Sequence, residues 1–219
     1  MSAFEDDLKH LKAKLLKMGA MVEDAIRNSI FALIERDDES ARRVIANDRI
    51  INRLDVEIDE ESIRLLALRQ PMAKDLRLIT TAMKITTDIE RMGDLAVNIA
   101  ERALELNIEP PLKSYMEIPR MKDLAQGMTR DALDAFVRMD KRLASDVIMR
   151  DDEVDELKHE ALRDLAYVMA QDPANVTGAM KLSFIAQYLE RLADHATNIS
   201  EMVIYLVEGK IIRHTILTP

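Results

Sequence analysis

Two pairs of acidic residues in this sequence are spaced so that each pair can share a metal ion. Glu90 and Asp94 are four residues apart, and Glu190 and Asp194 repeat this spacing 100 residues later. On a helix, residues four apart lie on one face, one turn from each other. Carboxylates this close repel, and a shared cation relieves the repulsion. Oxygen ligands suit hard cations such as Mg²⁺, Mn²⁺, Ca²⁺ or ferric iron, whereas zinc is less favoured without Cys or His.

The acidic pairs belong to a longer repeated phrase. ERMGDLAVNIAE at 90–101 and ERLADHATNISE at 190–201 are identical at seven of twelve positions. Similarity at a fixed offset indicates a chain built from repeats. In the segments that precede the phrase the offset is 103 residues, which aligns Asp48 with Asp151.

The elements that must position these residues are helices. Apolar residues recur at helical spacing and nowhere alternate as in strands. One seam recurs every seven residues, at Leu78, Ile85, Met92, Ile99 and Leu106. The predicted fold class is all-α, with two tandem, repeat-related antiparallel three-helix bundles. Their six helices are predicted at about 3–36, 39–69, 73–106, 119–139, 142–171 and 175–208.

Prolines near the midpoint set the predicted domain boundaries. Pro110, Pro111 and Pro119 cannot occupy the interior of a helix. We therefore predict a first three-helix repeat at 1–108, a linker at 109–118 and a second repeat at 119–219.

Residues at the predicted turns indicate where the helices begin. Asp37 and Asp140 can cap helix starts through their carboxylates. Pro71 and Pro173 are predicted in the first turns of the third helix of each repeat.

The helical rise predicts which residues lie level with each acidic pair. Glu90 is about 20 residues, or about 30 Å, beyond the turn near residue 70. The preceding helix runs antiparallel, and at the same height it has Asp48 and Asn52. The aligned residues in the second half are Asp151 and Asp155. The predicted metal ligands are Asp48, Asn52, Glu90, Asp94, Asp151, Asp155, Glu190 and Asp194.

Composition restricts the classes of function. A net charge of −9 argues against nucleic acid as a partner, because phosphate backbones are bound by clustered Lys and Arg. The absence of Cys excludes disulfides and thiol catalysis, and fits a reducing cytoplasm. No run reaches the roughly 18 apolar residues of a membrane span, so no membrane insertion is expected. No phosphate-binding loop or catalytic triad pattern occurs.

The residues around the first acidic pair carry a family resemblance. LRQPMAKDLRLITTAMKITTDIERMGDLAVNIAE, at 68–101, closely resembles the signature of PhoU proteins, and YLERLADHATNISEMVIYLVEGK, at 188–210, is similar to its second copy. The second copy departs from the first at Ala193, which replaces Gly93, and in the loop AQDPANVTGAM, which replaces the Arg-Gln-Pro turn.

The resemblance implies a function. PhoU-like proteins are cytoplasmic, often dimeric, non-enzymatic negative regulators of phosphate uptake and of the phosphate-starvation response. They are thought to connect the ATPase subunit of the phosphate ABC transporter with a sensor histidine kinase. The resemblance implies that their paired acidic motifs, reported to hold multinuclear metal clusters, correspond here to Glu90 with Asp94 and Glu190 with Asp194. Together with the oxygen ligands, this predicts divalent or ferric metal ions, with multinuclear iron as one candidate.

Two alternative functions compete with this interpretation. The same carboxylates could serve a metalloenzyme, such as a phosphatase, around two metals. The protein could be a helical adaptor without metal, in which the acids are only a solvated face.

His195, next to Asp194, is either an extra ligand or a packing residue. Glu156 and His159 match half of a di-iron motif, but the aligned positions of the first repeat lack it, which argues against a ferritin-like oxidase.

Overall fold

A computed structural model describes residues 3–112 and 117–209, and within these ranges it contains helices and no strand. The helix ends lie within two residues of the predicted ones, which confirms the all-α class. The helices are α1 (Ala3–Ile34), α2 (Asp38–Arg69), α3 (Ala73–Asn107), α4 (Ile118–Arg138), α5 (Lys141–Gln171) and α6 (Val176–Glu208), with a 3₁₀ turn at Pro173–Asn175 before α6.

The predicted domain boundaries are only partly covered by the structure. Residues 1–2, 113–116 and 210–219 lie outside the described residues. The division of the chain at a linker of 109–118 therefore stays a prediction.

The predicted helix caps are confirmed. Asp37 Oδ1 accepts hydrogen bonds from the backbone N–H groups of Glu39 and Ser40, at 3.0 and 3.2 Å. Asp140 Oδ1 accepts one from Leu143 at 3.1 Å. Each carboxylate satisfies N–H groups that have no partner inside the helix.

The predicted positions of the two turn prolines need correction. Pro71 precedes α3, because Gln70 is left-handed (φ 46°) and Met72 is extended (φ −117°), and these residues reverse the chain before the helix begins at Ala73. Pro173 opens the 3₁₀ turn and not α6.

All six helices contribute buried residues to the core, and four of them join the two halves of the chain. Helices α1 and α3 of the first half pack on α4 and α6 of the second. Among the described elements, α2 contacts only α1 and α3, and α5 contacts α4, α6 and the 3₁₀ turn that precedes α6. The predicted seam of α3 is buried along its length. The acidic pairs must therefore lie where α2 and α5 cover the outer flanks of α3 and α6.

Helices α1 and α4 approach closely at Gly19. A Cβ added to Gly19 would overlap the end of the Leu133 side chain, so any other residue would require that leucine to shift. Nearby, Arg130 of α4 pairs with Glu23 of α1 at 2.9 Å. The two halves are thus packed against each other.

None of the described helices carries a stretch that is long and apolar enough to cross a membrane.

Candidate functional site

The structure brings the predicted ligands of the first half together between α2 and α3. We call Asp48, Asp55, Glu90 and Asp94 the first acidic cluster. Burial raises the pKa of Glu90, and the charges of Asp94, Asp55 and Asp48 raise it further. Asn52 Nδ2 donates a hydrogen bond to Asp48 Oδ2 at 2.8 Å. The sequence analysis missed Asp55, although its position seven residues after Asp48 places both on one face of α2.

Gly93 allows α2 to approach α3 at this cluster. A Cβ on Gly93 would lie 3.3 Å from Ile51 Cγ2 and 3.5 Å from Asp48 Oδ1. The second half has Ala193 in place of Gly93 and Val154 in place of Ile51. The side chain of α6 is thus one carbon larger than its counterpart in α3, and the facing side chain of α5 is one carbon smaller than its counterpart in α2.

We expect Gly93→Ala and Ile51→Val to compensate each other. Alanine favours a helix over glycine by up to about 1 kcal/mol. Overpacking against Ile51 offsets this gain, since an extra carbon in a tight core costs about 1–3 kcal/mol. In urea unfolding, the double variant should be more stable than the sum of the two single effects by about 1 kcal/mol. Additive single effects would show that the two residues do not compete for space.

The second acidic cluster lies between α5 and α6 and consists of Asp151, Asp155, Glu190 and Asp194, all four predicted. Burial raises the pKa of Asp151 to about 6, with contributions from Asp194 and Asp155. Lys158, absent from the predicted set, enters this cluster. Its Nζ donates to Asp155 Oδ1 at 2.6 Å and to Glu190 Oε1 at 2.7 Å. Burial lowers the pKa of Lys158, but these hydrogen bonds outweigh burial and the net shift is upward.

The raised pKa of Asp151 predicts a pH-dependent stability. The folded protein binds this proton more readily than the unfolded chain, so the stability of metal-free protein falls as pH rises from about 4 to about 6 and then levels off. Asp151→Asn should therefore stabilise the protein at pH 7.5 and keep only about half of this advantage at pH 5, where Asp151 is mostly protonated in the folded protein but still ionised in the unfolded chain. The rise of this pKa from 3.8 to about 6 corresponds to about 3 kcal/mol, which solvent screening reduces to about 1–2 kcal/mol.

Thermal unfolding in EDTA at the two pH values measures this effect. Asp152→Asn, at the exposed neighbouring position, is the control and should change little. If Asp151→Asn raised the stability equally at both pH values, the gain would come from side-chain packing and not from the removed charge.

The chemistry of the first cluster fits a metal ion. Its donors are all oxygens, and Asp48 Oδ1 is buried without a hydrogen-bond partner. Within the described ranges, no Lys or Arg forms an ion pair with the four acids. As the side chains stand, no three Asp, Glu or His of the described residues are grouped to hold one ion. Binding therefore requires side-chain rotation, which the exposure of Asp94 and Asn52 permits.

His195 points away from the second cluster. It is buried, and its Nδ1 donates a hydrogen bond to Asp88 Oδ1 of α3 at 2.8 Å. Of the two roles considered, packing is therefore the one that the structure shows. His159 is exposed, and its Nδ1 lies 2.7 Å from the backbone oxygen of Asp155 within the same helix.

Comparison with protein families finds a match to both halves of the chain. The model of the PhoU domain matches residues 15–103 and 118–203. The two matched stretches correspond to the repeats that carry the acidic clusters.

Full-length relatives are similar along most of the chain. A phosphate-specific transport system accessory protein PhoU homolog from Aquifex aeolicus is 45% identical over 208 residues, covering 95% of this chain and 94% of the relative. A homolog with the same name from Pseudomonas putida is 43% identical over 213 residues, covering 96% and 83%. The crystal structure of PhoU from Pseudomonas aeruginosa superposes with a TM-score of 0.91 at 40% identity, covering 94% of this chain and all of that one.

Proposed function

This chain belongs to the PhoU family, and on that premise we propose that it is an accessory protein that regulates phosphate transport. The observation that carries the proposal is the match over nearly the whole chain to relatives named as accessory proteins of the phosphate-specific transport system. Both repeats are present, so the whole chain and not one module corresponds to these relatives.

We further propose how it regulates. The protein acts in the cytoplasm as a homodimer and as a negative regulator of phosphate uptake and of the phosphate-starvation response. It connects the ATPase subunit of the phosphate ABC transporter with a sensor histidine kinase, by favouring one state of each partner. The acidic clusters support a docking role over a catalytic one, because Asp94 and Asp194 are exposed and a catalytic site needs enclosure from water.

We propose that both acidic clusters bind divalent or ferric metal ions. A bound ion would supply positive charge, which the first cluster lacks and the second has only from Lys158. In the first half, Asp48, Glu90 and Asp94 would hold it, with Asn52 adding an amide oxygen. In the second half, the corresponding set is Asp151, Asp155, Glu190 and Asp194. The unpartnered Asp48 Oδ1 and the raised pKa of Asp151 support this proposal.

Deletion of the gene tests the regulatory role. In phosphate-replete medium, loss of the protein should derepress phosphate-starvation genes and raise phosphate uptake, since a negative regulator is removed. A starvation-gene reporter and uptake of labelled phosphate measure both, and the intact gene supplied in trans should restore repression. Unchanged reporter activity and uptake would contradict the proposal.

A separate assay tests the enzyme alternative. Purified protein should not hydrolyse phosphoesters with or without added Mn²⁺. Reproducible hydrolysis that is abolished by Asp94→Ala would instead identify a metallophosphatase. Repression that persists in variants unable to bind metal would favour an adaptor that works without it.

A further inference from the structure

We infer that the two acidic clusters bind metal ions unequally, because Lys158 acts as a built-in cation in the second cluster and the first cluster has no equivalent. The inference rests on the metal binding proposed above and concerns a residue of this chain that sets the affinity of one half.

Lys158 lies where a cation shared between α5 and α6 would lie. Its ammonium donates to Asp155 of α5 and to Glu190 of α6, at 2.6 and 2.7 Å, and its charge also acts on Asp194. The side chain is only 16% exposed, so the ammonium is held among the carboxylates and not in bulk water. Charge-assisted hydrogen bonds of this length are among the strong ones.

The repeat places an acid where the second half has this lysine. With the offset of 103 residues, Lys158 aligns with Asp55, while Asp155 aligns with Asn52. The first cluster therefore carries four carboxylates and no ammonium. The charge of the exposed Arg91 lowers the pKa of Glu90, but Arg91 forms no ion pair with it.

This difference predicts the order of affinity. A cation that enters the second cluster must displace Lys158 and break both of its hydrogen bonds, and any ammonium left nearby repels the ion. In the first cluster, an ion meets only oxygen donors, one of them the buried and unpartnered Asp48 Oδ1. We expect the first half to bind Mn²⁺ about tenfold more tightly than the second, or more.

A functional consequence follows. The face between α2 and α3 is metal-dependent, because its carboxylates stay unneutralised until an ion binds. The face between α5 and α6 keeps its arrangement without metal, because Lys158 holds Asp155 and Glu190 together. One protein thus presents a metal-responsive surface and a constant one.

Variants that switch off one half at a time test the inference with Mn²⁺ as the probe. Isothermal titration gives the Kd, and plasma mass spectrometry of gel-filtered protein gives the metal content. Glu90→Gln with Asp94→Asn leaves only the second cluster, and we expect weak binding. Adding Lys158→Met to this variant should lower the Kd about tenfold or more. Lys17→Met, the same charge change at an exposed site of α1, should not.

The reciprocal experiment uses the first cluster alone. Glu190→Gln with Asp194→Asn should bind Mn²⁺ as tightly as the parent protein. Adding Asp55→Lys, which copies the lysine of the second half, should raise the Kd about tenfold or more. This arm does not depend on the folding of the Lys158 variant, and circular dichroism checks the helical content of each protein.

The outcomes separate the two proposals. Equal loss of Mn²⁺ from the two double variants, with no effect of Lys158→Met, would overturn the role of Lys158 and leave metal binding intact. No Mn²⁺ binding by the parent protein or any variant would contradict the metal sites themselves, and the inference with them.

Discussion

A protein carrying Glu90→Gln and Asp94→Asn should keep its fold and lose about a hundredfold or more of the metal affinity of its first half. The substitutions remove two carboxylates of one site while preserving side-chain size. Glu90 is half-buried and Asp94 is exposed, and both lie outside the seam that packs α3 into the core. Surface substitutions of this kind change the free energy of unfolding by about 0.5 kcal/mol or less.

Metal content and thermal unfolding by circular dichroism test the two parts together. Glu101→Gln, an exposed acid seven residues beyond Asp94 on α3, is the matched control and should leave metal content unchanged. Unchanged metal content in the double variant would show that Glu90 and Asp94 are ordinary solvated surface residues and not metal ligands. A large loss of helical content would show instead that the pair supports the fold.

His195→Leu should destabilise the protein by about 3 kcal/mol, the largest stability effect predicted for a single substitution here. The Asp88 carboxylate would be left without its partner in the contact between α3 and α6, where its side chain is only 12% exposed. An unpaired charge loses its hydration without recovering it from the protein. Asp88→Ala should cost less, about 2 kcal/mol, because it leaves only an imidazole N–H unsatisfied.

The repeat supplies the control for this pair. At the equivalent positions the chain has Tyr188 for Asp88 and Leu95 for His195. Leu95 is buried in the core, and the partly buried Tyr188 packs against it. The double variant Asp88→Tyr with His195→Leu copies this apolar pair. It should be more stable than His195→Leu alone, because no buried carboxylate remains unpaired. Urea unfolding of the parent, the two single variants and the double variant gives the free energy of unfolding of each. If the losses in the two single variants add up to the loss in the double variant, the two side chains do not interact.

Much of the fold follows from local patterns. The spacing of apolar residues predicted six helices to within two residues, because burial of one helix face imposes a period of 3.6. Asp37 and Asp140 marked helix starts because capping involves only neighbouring backbone groups. The predicted position of Pro71 within the first turn of α3 was wrong. The left-handed Gln70 and the extended Met72 form the turn, and neither residue type predicts such a backbone conformation.

The candidate site was predicted in part by the same means. The constant rise of a helix fixes which residues of two antiparallel neighbours lie at one level, so Asp48 could be placed beside Glu90. The height of a residue along its helix does not by itself show which residues a long side chain contacts. Lys158 is three residues from Asp155 along α5 and meets Glu190 only because α5 and α6 pack side by side.

The sequence by itself therefore determined the helices, the two repeats and the height of the acids along them, because each depends on period, rise or internal similarity. Only the tertiary structure decided which charges meet. The rotation and crossing of packed helices brought Asp55 into the first cluster, Lys158 into the second and Asp88 against His195. These contacts join residues that are far apart in sequence, and their geometry depends on the packing of every side chain between the helix axes.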